Sequence, residues 1–389
     1  MIDFAKYKLI TNPFRISPPI YSEEIIWAGM RTLKEKIDNR IEISIKTSPS
    51  RIVLNWGRYG SGKTHAANFY TKTNYIEETF GVKTKNLKVN LPRGTKEPVQ
   101  AFLRALVGQL NFDKIIEDFR AFGEKQSERA AQIIDACTQD AIIAQALKLF
   151  LRTPGATNDL FGNPMANASL DAMRNFLYGD STKAILKELN LPLGLDDDEQ
   201  VVNLISGIFN VITYESSVYQ SVFLWIDEFE DIDTLPKTSQ DRFTTFLRQL
   251  VDKCPNHLTL FLNFTLKGVG ELEDLSIILG EALASRTKLY IDFETPKIAE
   301  AKEYISELIN HPKFRNTADI TGNNPFFPFE DAAVELILSN IDRLTTRKIN
   351  ETFSLILELA LINNPVPDAI GPVFVDSIKG ELPSWKNSW

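Results

Sequence analysis

The sequence has few of the residues that build disulfide frameworks and metal sites. Its 389 residues include two cysteines, Cys137 and Cys254, and three histidines, His65, His257 and His311. Two cysteines cannot make the framework of a small secreted domain, so we expect a reducing compartment. The scattered histidines do not have the spacing typical of metal ligands. These scarcities exclude disulfide scaffolds and histidine–cysteine metal centres from the expected classes.

Long apolar runs and an excess of basic residues are also missing. The nearest apolar run, residues 201–214, is too short to span a membrane, and the N-terminus does not have the apolar core of a signal peptide. We therefore expect a soluble, cytoplasmic protein without membrane contact. The net charge of −8 provides no overall basic field for nucleic acid. Any DNA contact is then expected from a local patch or from a ring of subunits.

What the sequence does contain is a phosphate-binding loop. Residues 57–64 read Gly-Arg-Tyr-Gly-Ser-Gly-Lys-Thr and fit the pattern G-x-x-x-x-G-K-[ST]. A strand-like run, residues 51–56, precedes the loop, and a helix-forming run, residues 65–70, follows it. Glycines let backbone N–H groups turn towards a phosphate, and the helix N-terminus adds its positive end. The sequence therefore predicts a nucleotide-binding protein.

The residues of the loop have separate predicted roles. Lys63 is expected to reach the β- and γ-phosphates of the nucleotide, and the Thr64 hydroxyl to be a ligand of Mg²⁺. The other predicted nucleotide contacts are Gly57, Gly60, Ser61, Gly62 and His65. ATP is expected rather than GTP, because the sequence contains no Asn-Lys-x-Asp motif.

Two later apolar runs end in polar residues. Residues 222–226 are apolar throughout, typical of a strand buried on both faces of a parallel sheet, and Asp227 and Glu228 follow. Asp227 is expected to hold Mg²⁺, and Glu228 to orient and deprotonate the attacking water. Asn263 ends a later strand, where it either contacts the γ-phosphate or the attacking water, or is a structural amide. Thr265 is the fallback candidate.

Two arginines are candidates for stabilising the charge of the transition state. Arg286 precedes the fifth predicted strand and is expected to act in trans on a neighbouring subunit's nucleotide; the alternative is a surface ion pair. Arg347 begins a helix in the all-helical C-terminal part, and Arg343 lies one turn earlier as its substitute.

A basic stretch surrounds the second predicted strand. We predict a solvated edge there, with phosphate contact as the alternative. Its basic residues are Lys83, Lys85, Lys88, Arg93 and Lys96.

Together these residues resemble an AAA+ ATPase, and within AAA+ the origin-recognition and initiator-related ATPases of prokaryotes. The resemblance assigns a sensor-1 role to Asn263 and a sensor-2 role to Arg347, next to the Walker A loop and the Walker B run ending at Glu228. Three stretches carry the narrower likeness: Asn12-Pro13-Phe14, Ser285-Arg286, and Pro328-Phe329 leading to Arg347-Lys348-Ile349-Asn350.

The resemblance implies an α/β fold: a P-loop NTPase αβα sandwich with a five-stranded parallel sheet, a large helical insertion and an all-α lid domain. We expect an N-terminal arm and helix at residues 1–50 and a nucleotide-binding domain at 51–294, with the insertion at about 97–219. The lid is expected at 295–365 and a short tail at 366–389.

Two departures from that group shape the expected function. The insertion is longer than the group needs, which predicts a protein partner there. The tail is too short for the winged-helix domain that initiators append, which argues against sequence-specific DNA binding. We expect a homo-oligomeric ATPase that hydrolyses ATP with Mg²⁺ at a subunit interface and remodels DNA or a DNA-bound complex, as a loader, transposition regulator or defence-system ATPase. The alternative is a slow ATP-binding signalling or scaffold switch that assembles protein partners without acting on DNA.

Overall fold

The computed structural model describes residues 2–17, 19, 21–151, 164–265, 279–280, 283–316 and 324–386. The chain divides into two compact units that interleave along the sequence. The phosphate-loop unit comprises Met1–Asp38, Gly57–Thr73 and Asp292–Trp389, and the Walker B unit comprises Asn39–Trp56 and Asn74–Ile291. The linear domain boundaries given above remain a prediction, and residues 387–389 of the predicted tail lie outside the described residues.

Five strands form one sheet. They are β1 Arg51–Gly57, β2 Thr84–Asn90, β3 Ser221–Asp227, β4 Leu258–Thr265 and β5 Leu289–Phe293. The strand order is β2-β3-β4-β1-β5, and the pairs β2–β3 and β3–β4 are parallel. Every residue of β3 is buried, as its apolar run predicts. The predicted α/β fold with a five-stranded sheet is confirmed, and β4 lies between the strand that leads into the phosphate loop and the strand that ends at Asp227.

Helices account for most of the remaining described residues. In chain order, α1 Arg31–Lys46 precedes the phosphate loop, and α2 Lys63–Lys72 and α3 Tyr75–Phe80 follow it. Between β2 and β3 the described helices are α4 Pro98–Leu110, α5 Phe112–Gln126, α6 Ala130–Thr138, α7 Ala141–Leu151, α8 Pro164–Leu177, α9 Lys183–Leu189 and α10 Asp198–Thr213. After β3 come α11 Lys237–Lys253, α12 Ile298–Ile309, α13 Asp331–Asn340, α14 Thr346–Ile362 and α15 Pro372–Ile378.

Short 3-10 helices occur at Phe4–Tyr7, Ser22–Glu24, Ser127–Arg129, Tyr214–Ser216, Phe229–Thr234 and Lys379–Glu381. The predicted large helical insertion and the all-α C-terminal part are both confirmed. Within the described ranges, no helix combines the length and the apolar character needed to cross a membrane.

The helical insertion shares the hydrophobic core of the sheet. Phe102 of α4 packs edge-on against Phe243 and Phe246 of α11, with ring centroids 5.5 Å apart in both pairs. Arg242 of α11 pairs with Asp198 at the start of α10, Nε to Oδ2 at 2.9 Å. The apolar faces of the insertion helices pack into the core of the Walker B unit. The insertion is therefore an integral part of that unit.

The N-terminal arm belongs to the core of the phosphate-loop unit. The ring of Phe14 lies 6.1 Å from that of Phe329 and 5.3 Å from that of Phe353 in α14, measured between centroids. Asn12 donates from Nδ2 to Oε1 of Glu358 at 3.0 Å. The Asn12-Pro13-Phe14 stretch therefore fixes the arm to α14.

A buried ion pair joins β2 to the insertion. Lys85 Nζ lies 3.2 Å from Asp118 Oδ2 of α5, and the Tyr219 hydroxyl donates to Asp118 Oδ1 at 2.8 Å. Burial lowers the pKa of Lys85, whereas burial followed by the charge of Asp118 raises the pKa of Tyr219. Since a buried carboxylate is costly without partners, this cluster fixes the position of α5 on the sheet.

We predict that Asp118→Ala destabilises the Walker B unit by about 3–5 kcal/mol, because it leaves the Lys85 ammonium buried without its carboxylate. The free energy of unfolding is measured by urea denaturation, with tryptophan fluorescence, to which buried Trp225 contributes, as the probe. The double variant Lys85→Met with Asp118→Leu should recover most of the loss. Lys114→Ala, which removes an exposed partner 3.7 Å from Asp118, should change stability by less than about 1 kcal/mol. Equal stability of Asp118→Ala and the wild type would contradict the stabilising role of the Lys85–Asp118 ion pair.

Candidate nucleotide site

The phosphate loop has a backbone conformation that depends on its glycines. The φ angle is +79° at Gly60 and +95° at Gly62, both in the left-handed region where glycine carries no steric penalty. A Cβ atom at Gly57 would lie 2.8 Å from Cβ of Phe293. Helix α2 begins at Lys63, so its N-terminus directly follows the loop. The helix start that the motif predicts is therefore present, and its contact with a phosphate remains a prediction.

Lys63 is held inside the loop. The residue is 7% exposed, and its ammonium donates to the carbonyl oxygens of Gly57 at 3.0 Å and Arg58 at 2.9 Å. Its Nζ also lies 3.3 Å from Oγ of Ser61. Thr64 follows in the first turn of α2 and is half-buried. The predicted contacts of Lys63 with the phosphates and of Thr64 with Mg²⁺ remain predictions.

The side chain of His65 contacts the N-terminal arm. Its Nε2 lies 2.7 Å from the carbonyl oxygen of Ile26, so this nitrogen carries the proton and donates. Burial lowers the pKa of His65, with the Ile26 carbonyl opposing, which favours the neutral ring. The predicted contact of His65 with the nucleotide remains a prediction, and it requires the backbone N–H of this residue.

Helix α14 touches the phosphate loop with its first residues. The carbonyl oxygen of Gly60 accepts from Oγ1 of Thr346 at 2.9 Å and from the backbone N–H of Arg347 at 3.2 Å. Thr345 caps the helix by accepting from the backbone N–H of Lys348 at 3.3 Å. The structure therefore brings Arg347, predicted from its place in the C-terminal helices, to the loop itself. The proposed substitute Arg343 lies in the turn before α14, with φ of +57°.

The end of β3 holds a buried carboxylate. Asp227 is 2% exposed, and its Oδ1 accepts from Nδ2 of Asn263 at 3.0 Å. Its Oδ2 lies 3.0 Å from Nζ of Lys88 in an ion pair. The amide oxygen of Asn263 accepts from Nδ2 of Asn55 at 2.9 Å. The three neighbouring strands β1, β4 and β3 are thus linked, in that order, by Asn55, Asn263 and Asp227.

Asn263 combines features of both alternatives that the sequence left open. It is completely buried and bonded on both sides, as a structural amide would be. It also touches the carboxylate that is predicted to hold Mg²⁺. The fallback Thr265 is half-buried, and its backbone N–H donates to Oε2 of Glu230 at 3.0 Å.

Glu228 has an unusual backbone and two side-chain partners. Its φ of +56° lies in the left-handed region, which is uncommon for a residue with a side chain and is concentrated at functional sites. Its Oε2 accepts from Nδ2 of Asn90 at 3.2 Å and lies 2.9 Å from a terminal nitrogen of Arg93. Burial raises the pKa of Glu228, and the charge of Arg93 opposes that effect. A raised pKa suits a carboxylate that must accept a proton near neutral pH.

The basic stretch around β2 is largely neutralised by carboxylates of its own unit. Lys85 pairs with Asp118 and Lys88 with Asp227, and Arg93 pairs with both Glu228 and Asp231. Lys85 and Lys88 face carboxylates inside the protein, whereas Lys83, Arg93 and Lys96 are exposed, so the predicted solvated edge is present in part. Ion pairs of this kind join positions far apart in the sequence, so charge counting could not reveal them.

Arg286 lies in a bidentate ion pair within its own chain. Its Nε and one terminal nitrogen each lie 3.0 Å from a carboxylate oxygen of Asp252, near the C-terminal end of α11. This is the surface ion pair that the sequence left as the alternative. The predicted action of Arg286 on another subunit's nucleotide remains a prediction, and it requires Arg286 to leave Asp252.

Comparison with known protein families finds no match to this sequence, and no curated protein matches it either. Among solved structures, the chain is similar to the ORC1 protein of Aeropyrum pernix in complex with DNA. The TM-score is 0.46 at 11% identity, covering 96% of this chain and 70% of that one. It is also similar to the ORC2 protein of the same organism, in complexes with ADPNP and ADP, at TM-score 0.46 and 12% identity over 91% of this chain and 66% of that one. The Walker-type ATPase PABY2304 of Pyrococcus abyssi gives TM-score 0.44 and 13% identity over 88% and 71%.

We predict that Asn263→Ala lowers the free energy of unfolding of the Walker B unit by about 1–3 kcal/mol, because it removes partners from two buried polar side chains. Asn55→Ala is the matched control: it removes a donor from Asn263 but leaves the bond to Asp227 in place, so its effect should be smaller. Thermal and urea denaturation of the three proteins measure the difference. A wild-type stability in Asn263→Ala, or a larger loss in Asn55→Ala, would contradict the role of Asn263 as the partner of Asp227.

Proposed function

We propose that this chain is an AAA+ ATPase that binds ATP at its phosphate loop and hydrolyses it with Mg²⁺. The observation that carries the proposal is the buried carboxylate Asp227, held by Asn263 and Lys88 and followed by Glu228 in a left-handed conformation. Burying the Asp227 carboxylate beside the strained backbone of Glu228 costs stability. A catalytic role for the pair would account for that cost.

The phosphate loop supplies the groups for ATP binding. Backbone N–H groups of the loop and of the start of α2 take the phosphates, with Gly57, Gly60, Ser61, Gly62 and His65 as the other contacts of the predicted set. Lys63 neutralises the β- and γ-phosphates, and Arg347, held at Gly60, reaches the γ-phosphate from α14. Left-handed glycines and a buried ammonium fit a triphosphate of this kind.

Thr64 and Asp227 are the residues that would hold Mg²⁺. Mg²⁺ in nucleotide sites takes one or two protein oxygen ligands and fills its other positions with phosphate oxygens and water. A threonine hydroxyl and a buried carboxylate fit that need. When bound, the ion neutralises charge on the β- and γ-phosphates and on the departing ADP.

Glu228 is the proposed general base. It accepts a proton from a water molecule, the water oxygen bonds to the γ-phosphorus, and the bond from that phosphorus to the β–γ bridging oxygen breaks. The products are ADP, which keeps the bridging oxygen, and inorganic phosphate. Asn263 orients the water or the γ-phosphate, and Arg347 and Arg286 stabilise the charge of the transition state.

The proposed work of the ATPase concerns an assembly on DNA. ATP favours a homo-oligomer in which Arg286 acts in trans, and hydrolysis resets it, so that DNA or a DNA-bound complex is loaded or remodelled in the cytoplasm. Because the net charge is acidic, we expect a local surface of the oligomer to contact DNA, and to do so without sequence specificity. The insertion, whose apolar faces are used internally, would meet a protein partner with its polar surface.

A second candidate function is a slow ATP-binding switch that assembles protein partners. Two ion pairs favour it: Glu228 is paired with Arg93, and Arg286 with Asp252. Both residues that hydrolysis needs are thus engaged within the chain. Turnover measured with and without duplex and single-stranded DNA separates the two functions. Near-zero turnover under every condition, together with ATP-dependent assembly, would favour the switch.

We predict that Glu228→Gln binds ATP normally but hydrolyses it about 10²–10⁴ times more slowly, because the amide cannot accept the proton. Phosphate release and the ATP dissociation constant measure the two effects. Asp231→Asn is the matched control, since Asp231 is the other carboxylate partner of Arg93. That control should keep turnover within about threefold of the wild type. Unchanged turnover in Glu228→Gln would remove Glu228 as the base.

We also predict that Arg286→Ala lowers turnover by about 10³-fold or more while ATP affinity is nearly unchanged, because the arginine acts only on the transition state. Mixing Arg286→Ala with Lys63→Ala should restore part of the activity, since each supplies what the other has lost. Asp252→Ala, which frees Arg286, should keep full turnover. Failure of the mixture to recover activity would count against action in trans.

A further inference from the structure

We propose that Tyr59 is a positioning residue that holds the guanidinium of Arg347 at the phosphate loop, ready for the γ-phosphate of ATP. Tyr59 is the third residue of the loop, at a position where the motif accepts any residue. The inference rests on the proposed ATP binding and deepens it, because it names what makes Arg347 selective for a triphosphate.

The tyrosine ring and the guanidinium are stacked in a cation–π contact. The guanidinium carbon of Arg347 lies 4.8 Å from the centroid of the Tyr59 ring, within the range of about 6 Å in which such contacts are attractive. One terminal nitrogen of Arg347 also contacts the Tyr59 hydroxyl. Tyr59 is 70% exposed, so its ring does not serve the hydrophobic core. Its described interactions are instead with the arginine.

Arg347 is held from several directions at once. Besides Tyr59, its Nε lies 3.1 Å from Oε1 of Glu351, and its backbone N–H donates to Gly60. These contacts use the face of the guanidinium, Nε and one terminal nitrogen. Among the described residues, none of them uses the second terminal nitrogen, which can donate to an incoming phosphate oxygen. An arginine side chain loses much rotamer freedom when it binds a phosphate. Holding Arg347 in place beforehand lowers the entropic cost of that contact.

The loop is shaped to allow this approach. A Cβ atom at Gly60 would lie 2.9 Å from Cβ of Arg347 and 3.3 Å from Oγ1 of Thr345. Only glycine therefore permits α14 to come this close to the loop. Tyr59, next to Gly60, provides the aromatic ring against which the arginine side chain packs. The loop thus selects both the position of the helix and the direction of its arginine.

A competing role for Tyr59 is direct contact with the nucleotide. The two roles differ in how they couple to Arg347. A tyrosine that works through Arg347 has no effect once that arginine is removed, whereas a tyrosine that touches the nucleotide keeps its effect. They also differ in selectivity, because Arg347 is assigned to the γ-phosphate, which ADP does not have.

The test is calorimetric binding of ADP and of ADPNP, a slowly hydrolysed ATP analogue, to the full chain with Mg²⁺. Tyr59→Ala should weaken ADPNP binding about five- to tenfold and ADP binding less than about twofold. Arg347→Ala should show the same selective loss, and the double variant should be no weaker than Arg347→Ala alone. Tyr59→Phe, which keeps the ring, should recover most of the affinity.

Tyr21→Ala is the matched control, because Tyr21 is a similarly exposed tyrosine (68%) of the same unit. Both nucleotides should bind it as they bind the wild type. Equal weakening of ADP and ADPNP by Tyr59→Ala, no weakening at all, or additivity with Arg347→Ala would overturn the inference while leaving nucleotide binding intact. Failure of the wild-type chain to bind either nucleotide would overturn the proposed function as well. Circular dichroism of each variant verifies folding.

Discussion

A carboxylate buried at the end of a strand is costly unless polar partners surround it, and the Walker B unit is arranged to hold one. Asp227 has an amide donor in Asn263 and a cation in Lys88, and Asn263 is in turn held by Asn55. The partners come from β4, β2 and β1. The strand order is what makes this possible, because β4 separates β1 from β3 and places its terminal amide between them. A change of strand order would leave Asp227 without the amide. The partners that stabilise buried Asp227 also hold its carboxylate in a fixed orientation, which a metal ligand requires.

In the phosphate-loop unit the corresponding constraint is close approach. Gly60 has a left-handed backbone, and its lack of a side chain lets α14 approach the loop closely. One residue therefore sets both the curvature of the loop and the position of Arg347. The N-terminal arm completes this arrangement from two sides, through Asn12 on α14 and through Ile26 on His65 of α2. The loop, its helix and the arginine helix are thus fixed to one another by contacts inside a single unit. Binding of a phosphate at the loop would therefore act directly on the position of α14.

Much of the fold follows from local pattern, and much of the site's electrostatics does not. The run before Asp227 reads as a fully buried strand, and the loop motif with its flanks predicts β1 and α2, because both depend on neighbouring residues. The place of Arg347 at a helix start also follows from local pattern, and its role at the nucleotide stays a prediction. By contrast, the pairing of Arg93 with Glu228 and of Arg286 with Asp252 joins residues that only the fold brings together. Tyr59 occupies a position that the motif leaves open, so no sequence signal marks it. The burial of Lys85 and Lys88 in the basic stretch around β2 cannot be foreseen either, because their partners, Asp118 and Asp227, are distant in the chain.

We propose that this site hydrolyses ATP and does not merely bind it. The decisive measurement is the release of inorganic phosphate from ATP by the purified wild-type chain, followed over many equivalents per site. We expect sustained release that requires Mg²⁺ and is absent when the metal is chelated. Recovery of intact ATP from a chain that demonstrably binds it, with Mg²⁺ present and with DNA both added and omitted, would contradict hydrolysis at this site.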